Sequence, residues 1–238
     1  MQQVSIEVVN MERMKRNKRK GRGFMNLGLL LMAAALCLAG YNLWDDQRAG
    51  QAVQESLKRV VSEIPEGIES AEKQMEHIVS LGEMEIPDFV LNPEMEMPEK
   101  IINGQGYIGV VEIPKLELEL PIISEWSDEK LKLSPCRYIG SAYTGDMILS
   151  GHSYVNHFRY IRKLESGDRV NFTDMDGNRF IYQVVSSEVI GERDIDGMLL
   201  GDWDLTLFTC TPGGQSRNTV RCQLVEEENA WMKQIGSY

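Results

Sequence analysis

Cys210 ends the apolar run Leu205–Cys210 and is followed by a Pro212-Gly213-Gly214 turn. Strand alternation puts Thr206, Phe208 and Cys210 on one face of that run and Leu205 and Leu207 on the other. In the next run Arg217, Thr219 and Arg221 share one face, and Val220, Cys222 and Leu224 the opposite one. If the two runs pair, the Leu/Val/Cys222 side is core, and the thiol meets both arginines on the other side. A guanidinium beside a thiol favours the thiolate, and the thiolate is the nucleophile. An imidazole is the natural proton carrier for such a nucleophile. His152 follows Asp146–Ser150 and a Gly, which places it at a strand end, where barrels display functional side chains. His157 competes for that part from a helical stretch, and His77 lies far upstream.

The elements that must hold these groups are mostly short strands. Period-two patterns run through GYIGVVEI (106–113) and LELELPII (116–123), where Leu116, Leu118 and Leu120 alternate with Glu117 and Glu119. Further strands are expected at 146–150, 169–173, 180–190, 205–211 and 217–225, with short helices at 129–133 and 157–164. Asp174-Met175-Asp176-Gly177-Asn178 joins two strands and reads as a hairpin turn. A calcium loop would need a Glu at its twelfth position and flanking helices. Many short strands with little helix imply a mainly β fold, a closed antiparallel or mixed barrel of about 130 residues.

The segments before the barrel differ in kind. Seven of the ten residues from Arg13 to Arg22 are Lys or Arg. Gly23 to Trp44 then runs 22 residues without a charge, about 33 Å as a helix and enough for a bilayer core. This is longer than a signal-peptide core and lacks a small-residue cleavage site, so an uncleaved transmembrane helix is expected. Basic residues stay cytoplasmic, which puts the rest outside. The net charge of −11 conceals this division: residues 1–44 carry seven basic and two acidic side chains, net +5, and the remainder is net −16. An acidic exterior argues against nucleic acid as a partner. Ala52, Val53, Leu57, Val60, Val61 and Ile64 recur at helical spacing, and a second short helix is expected over 68–81. Residues 83–100 hold three Pro and six acids, which suits an extended linker. Phe89 in that linker is read as stalk lying on the domain surface rather than as a lid.

A strand ending in Gly-His, then TLFTC, then Arg in the following strand resembles the signature of the sortase family, the membrane-anchored cysteine transpeptidases of Gram-positive surfaces. Tyr107–Leu116 looks like that family's opening strand, and the resemblance spans roughly residues 106–226. It implies a closed sortase-like eight-stranded β-barrel with short helices, preceded by an N-terminal transmembrane helix and helical stalk. It also implies a catalytic set of Cys210, His152 and Arg217. Arg217 is preferred because Val220 follows three residues on, as the family's last strand has it; Arg221 shares its face and is the alternative or an auxiliary. Thr209 is a weaker expectation for substrate positioning through its backbone. The implied reaction is cleavage of an LPxTG-like sorting signal through a thioester, with transfer to an amine of a cell-wall peptide or a pilin Lys. The alternatives are a membrane-anchored cysteine endopeptidase that uses water, and a non-catalytic exported barrel. The Asp-Pro-aromatic lid motif of pilin polymerases is not evident in the chain. No cofactor and no metal are expected, since the four Cys and three His show no ligand spacing.

The expected division is a cytoplasmic tail at 1–23, an anchor at 24–44, and stalk and linker at 45–100. A catalytic barrel at 101–228 and a tail at 229–238, docked by Trp231, complete it. Cys136 and Cys222 are read as two free thiols, because Cys222 falls on the core face.

Overall fold

The computed structural model describes residues 2–65 and 87–225, with side chains from residue 24 onward. The second stalk helix, the first part of the linker, His77 and the C-terminal tail with Trp231 lie outside the described residues. Two compact units are distinguished, residues 1–47 and 48–238.

The first unit is helical from Gln2 onward. It belongs to helix α1, Gln2–Glu63. Phe24, Leu30, Leu31, Leu36 and Leu38 are all exposed. From Phe24 onward α1 is long and apolar enough to cross a membrane, and so large an uncovered apolar surface is abnormal for a water-facing helix.

The second unit opens with the last part of α1. Ala49, Val53, Leu57 and Val60 are buried, at the spacing that lines one helical face. Leu57 and Val60 pack with Tyr107, Val110, Ile123, Cys136 and Met175. Burying each such Leu or Val contributes about 2 kcal/mol at most. Val61, placed on this face by its spacing, is instead exposed, and Ala49 takes its place. Next comes a single turn, α2 (Asp88–Leu91). Its Phe89 is buried, stacked 4.5 Å from the Tyr143 ring and tilted 5.2 Å from Phe180. This segment therefore lies on the barrel and contributes to its core.

Among the described residues nine strands follow: β1 (Lys100–Ile102), β2 (Gln105–Ile113), β3 (Leu118–Ile123), β4 (Cys136–Ile139), β5 (Met147–Ser150), β6 (Arg169–Asp174), β7 (Arg179–Gly191), β8 (Leu205–Cys210) and β9 (Ser216–Leu224). Their order is β1-β2-β3-β4-β5-β8-β9-β7-β6, and β6 pairs back onto β2. Strands β2 to β9 thus close an eight-stranded barrel, and β1 is a flap on its outside, joined by an Asn103-Gly104 turn with both residues at positive φ. The barrel is mixed, since β3–β4 and β5–β8 run parallel. Its interior is filled by side chains such as Ile108, Val111, Leu120, Leu149, Phe172, Phe180, Tyr182, Leu207 and Val220.

The strand expected from Leu116 begins only at Leu118. Pro114 has no N–H for a ladder, and Pro114–Leu116 forms a 3-10 turn that ends with Glu117 at φ 53°. The sequence pattern gave no hint of β4, a four-residue strand pressed between Pro135 and Gly140. The hairpin at 174–178 is built on the buried Asp174 carboxylate. Its Oδ1 accepts from the amides of Asp176 and Asn178, and its Oδ2 from the Tyr143 hydroxyl and the Asn178 side chain, all at 2.6–2.9 Å. Cys136 and Cys222 are free thiols, both buried.

Candidate active site

β8 carries the nucleophile candidate as its alternation requires. Leu205 and Leu207 face the core, and Cys210 is exposed at the strand's end. Antiparallel pairing sets Cys210 opposite Arg217, Phe208 opposite Thr219 and Thr206 opposite Arg221. The turn between the strands is tight. The Thr211 amide donates to the Ser216 carbonyl at 2.9 Å, and Gly213 and Gly214 have φ of 91° and 73°, a conformation in which a side chain is strained. A Pro-Gly-Gly sequence is therefore what returns β9 at the register that puts Arg217 beside the thiol.

His152 arrives by a different route. β5 runs parallel to β8, with Ser150 level with Phe208, and the Gly151 amide continues the ladder to the Phe208 carbonyl at 3.0 Å. Two residues further along each chain lie His152 and Cys210, on neighbouring strands and at the same end of the sheet. The Ser153 amide donates to His152 Nδ1 at 3.0 Å, and the ring stacks on Tyr154 with centroids 4.1 Å apart and planes within 5°. An Nδ1 that accepts a hydrogen bond leaves the proton of the neutral ring on Nε2. The loop is fastened below by Arg159, whose Nε donates to the Ser153 carbonyl at 2.9 Å. His157, the competitor, is fully buried, and neither ring nitrogen has a hydrogen-bond partner among the described residues. Burial, reinforced by the charge of His152, pushes its pKa down to about 3.

The two arginines have separate environments. Arg217 is half-buried; it donates to the Glu192 carbonyl at 2.8 Å and lies over the Phe208 ring at 5.9 Å. Arg221 is only 2% exposed. It donates to Glu188 at 2.8 Å, to the Thr206 hydroxyl at 3.1 Å, and to the carbonyls of Met198 (3.0 Å) and Gly197. The last two belong to helix α4 (Ile195–Leu199), a turn within the loop between β7 and β8; α3 is the single turn Asp128–Leu131 between β3 and β4. Thr209 points its side chain into the barrel, and its hydroxyl has no partner among the described residues.

Cys210 and Arg217 stand at a cleft of about 330 Å³ whose walls include Ser150, Phe208, Tyr138, Trp126, Ile195 and Met198. Met198 packs on Ile148, Ile190 and Phe208, so α4 forms one wall and Arg221 holds it from behind. Tyr138 meets Phe208 edge-on at 5.5 Å, and Trp126 meets Tyr138 edge-on at 6.0 Å. Phe89 does not line this cleft. Sequence alternation found Cys210 and Arg217 but missed Trp126 and Tyr138. Both sit around the short β4, where no period is long enough to read.

A cleft of this size holds a few residues of extended peptide, with a thiol at one end, a guanidinium opposite and an imidazole on the adjacent strand. The family model described as Sortase domain matches residues 111–225. Sortase D of Bacillus subtilis is 31% identical over 109 residues, which cover 44% of this chain and 54% of that protein. The chain thus spans about half the length of that curated relative. Among solved structures, Sortase C of Streptococcus pneumoniae superposes with a TM-score of 0.51 at 21% identity, over 72% of this chain and 96% of that one. A Sortase D5 transpeptidase of Clostridium perfringens matches with a TM-score of 0.46 at 23% identity, covering 63% of this chain and 94% of that one. Fold and matched region agree, and residues 111–225 carry a sortase domain.

Proposed function

We propose that this protein is a cysteine transpeptidase in which Cys210, His152 and Arg217 act together on an LPxTG-like sorting signal. The observation that carries the reading is the pairing of Cys210 with Arg217 at the mouth of the cleft, with His152 level with them on the parallel neighbour. Cys210 Sγ attacks the carbonyl of the residue before the scissile bond, and an S–C bond forms. Arg217 and nearby amides stabilise the oxyanion or hold the substrate. The C–N bond breaks, and His152, charged as the imidazolium by the proton given up by the Cys210 thiol, delivers its Nε2 proton to the departing amine and returns to the neutral ring. An incoming amine then attacks the thioester, the C–S bond breaks, and the amine's proton passes back to His152. The acceptor is an amine of a cell-wall peptide or a pilin Lys. Thr209 contributes through its backbone only, since its side chain faces inward. The apolar part of α1 anchors the protein with the basic cluster in the cytoplasm and the barrel outside. Residues 45–100 act as stalk and linker, and 101–228 as the catalytic domain.

The test is a library of fluorogenic LPxTG-type peptides offered to the full chain in detergent micelles, with and without an added amine. A Cys210-dependent peptide–amine adduct supports the proposal. Release of free acid alone, unchanged by amine, makes the protein an endopeptidase. Cleavage that survives Cys210→Ala overturns the assignment of the nucleophile, and no cleavage at all favours a binding barrel.

A further inference from the structure

A second depression adjoins the cleft. It measures about 520 Å³ and is lined by Glu125, Trp126, Arg137, Tyr138 and Ile139, among others. Trp126 and Tyr138 belong to both, so the two form one track. From the Arg217 guanidinium the track steps over Phe208 (5.9 Å), Tyr138 (5.5 Å) and Trp126 (6.0 Å). Summed from ring to ring that path is at most about 17 Å, room for up to about five residues of extended chain at about 3.3 Å each.

The direction of a peptide on this track follows from the chemistry proposed above, on which this inference rests. The acyl portion stays bound through the thioester stage, while the leaving portion must go and an amine must take its place. The walled cleft therefore holds the residues N-terminal to the scissile bond, and the second depression lies beyond them. Arg137 is set there on β4. Its Nε donates to the Ser124 carbonyl at 3.1 Å, which fixes the plane of the guanidinium. Its terminal nitrogens have no hydrogen bond or ion pair among the described residues. Glu125 and Lys130 neutralise one another at 2.9 Å, and Asp128 faces the cleft rather than this groove. Arg137 is thus the cation of the groove's lining, beside a Glu125 already paired with Lys130, on a domain that is otherwise strongly acidic.

We propose that this groove binds the residues immediately N-terminal to the sorting motif and that Arg137 selects a carboxylate side chain there. Trp126, Tyr138 and Ile139, each roughly half exposed, provide apolar contact for the intervening chain. A partly exposed charge pair of this type is worth a few-fold in rate rather than orders of magnitude.

The experiment uses the full chain in micelles and three peptides carrying the best-cleaved motif, differing only in whether the residue before it is Glu, Gln or Lys. The rate of release of the C-terminal fragment gives kcat/KM for thioester formation. Wild type is expected to prefer Glu over Lys by about three- to tenfold. Arg137→Gln should erase the preference, and Arg137→Glu should reverse it. Equal kcat/KM for the three peptides with wild type, or a preference that survives Arg137→Gln, overturns the inference and leaves the transpeptidase reading intact. No Cys210-dependent product from any peptide overturns both.

Discussion

The two arginines of β9 are four residues apart on one face, and the structure separates their duties in a measurable way. Consider Arg221→Met, which keeps much of the aliphatic bulk and removes the guanidinium. Three acceptors lose their donor in a site that is 2% exposed: the Thr206 hydroxyl and the carbonyls of Gly197 and Met198. Each buried polar group left unsatisfied costs about 1–3 kcal/mol. Glu188 also loses its partner, but its side chain is 46% exposed and returns to water, so that pair adds at most about 1 kcal/mol. The terms sum to about 3–10 kcal/mol; the Gly197 carbonyl is only part-buried and can be hydrated, which leaves about 3–5 kcal/mol, the usual range for breaking a buried charged network. For a domain of this size each kcal/mol moves Tm by about 2–4 °C, which gives a fall of roughly 6–20 °C.

Arg217→Met is the control. It removes one bond to the Glu192 carbonyl and a contact with Phe208, and should lower Tm by less than about 3 °C. Its effect falls on turnover, where loss of an oxyanion or substrate donor lowers kcat by about 100-fold or more. Near-ultraviolet circular dichroism of the full chain in micelles gives Tm, and peptide cleavage well below Tm gives kcat. Arg221→Met should retain turnover within about tenfold, with a raised KM from a loosened α4. If Arg221→Met keeps its Tm within about 2 °C and loses turnover, while Arg217→Met does the opposite, the division of labour argued here is wrong.

Four further outcomes are expected. The unfolded chain protonates His157 as pH falls through its ordinary value of 6.5, whereas the folded chain resists until about 3. Stability is therefore lost on acidification across that window, by about 2 kcal/mol at pH 5 relative to pH 8. Urea unfolding of His157→Leu should show a pH loss smaller than wild type's by that amount. A methyl group at Gly151 would sit 2.3 Å from the ring of buried Phe158. Gly151→Ala must therefore displace the loop that carries His152, and it should lower kcat/KM at least tenfold while costing about 1–3 kcal/mol in stability. Burial raises the Cys136 thiol to about 12 and also raises that of Cys222. Iodoacetamide near pH 8 should modify Cys210 in the folded protein, and those two only after denaturation, with no mass change on reduction beforehand. Asp174 already accepts four hydrogen bonds. Millimolar calcium should therefore leave Tm unchanged, whereas an upward shift would show that the turn exchanges its donors for a cation.

Period-two alternation sufficed where strands were long and one face was apolar. β8 and β9 are such strands, and their parity alone placed Cys210 with Arg217 and Cys222 in the core. Alternation has no information about connections. The pattern Leu116–Leu120 looked continuous, yet Pro114 breaks it and Glu117 takes a left-handed turn. β4 has four residues and a bulge between Arg137 and Ile139, so its aromatic and its cation gave no readable period, although Tyr138 lines the cleft and Arg137 the adjoining groove. Parity cannot choose between Arg217 and Arg221, because both share a face; the preference for Arg217 rests on the spacing to Val220 in the family resemblance. What separates them is the return of the β7–β8 loop as α4 over Arg221, a contact that local pattern does not encode.

The mixed character of the barrel explains why three residues so scattered along the chain share one end of it. A parallel neighbour presents its C-terminal end beside that of β8, so His152 and Cys210, each just at or past a strand end, emerge together. An antiparallel neighbour presents its N-terminal end there, so Arg217, second in β9, comes back to the same level after a tight turn. Neither relation depends on the length of the chain between β5 and β8, which is where α4 and one wall of the cleft are inserted. The constellation and the pocket are thus specified separately: the first by register, which tolerates no single-residue slip, and the second by loops free to vary. Sequence changes in 192–204 should therefore alter which peptides fit without moving the nucleophile, whereas a one-residue deletion in 211–215 would turn Arg217 to the wrong face.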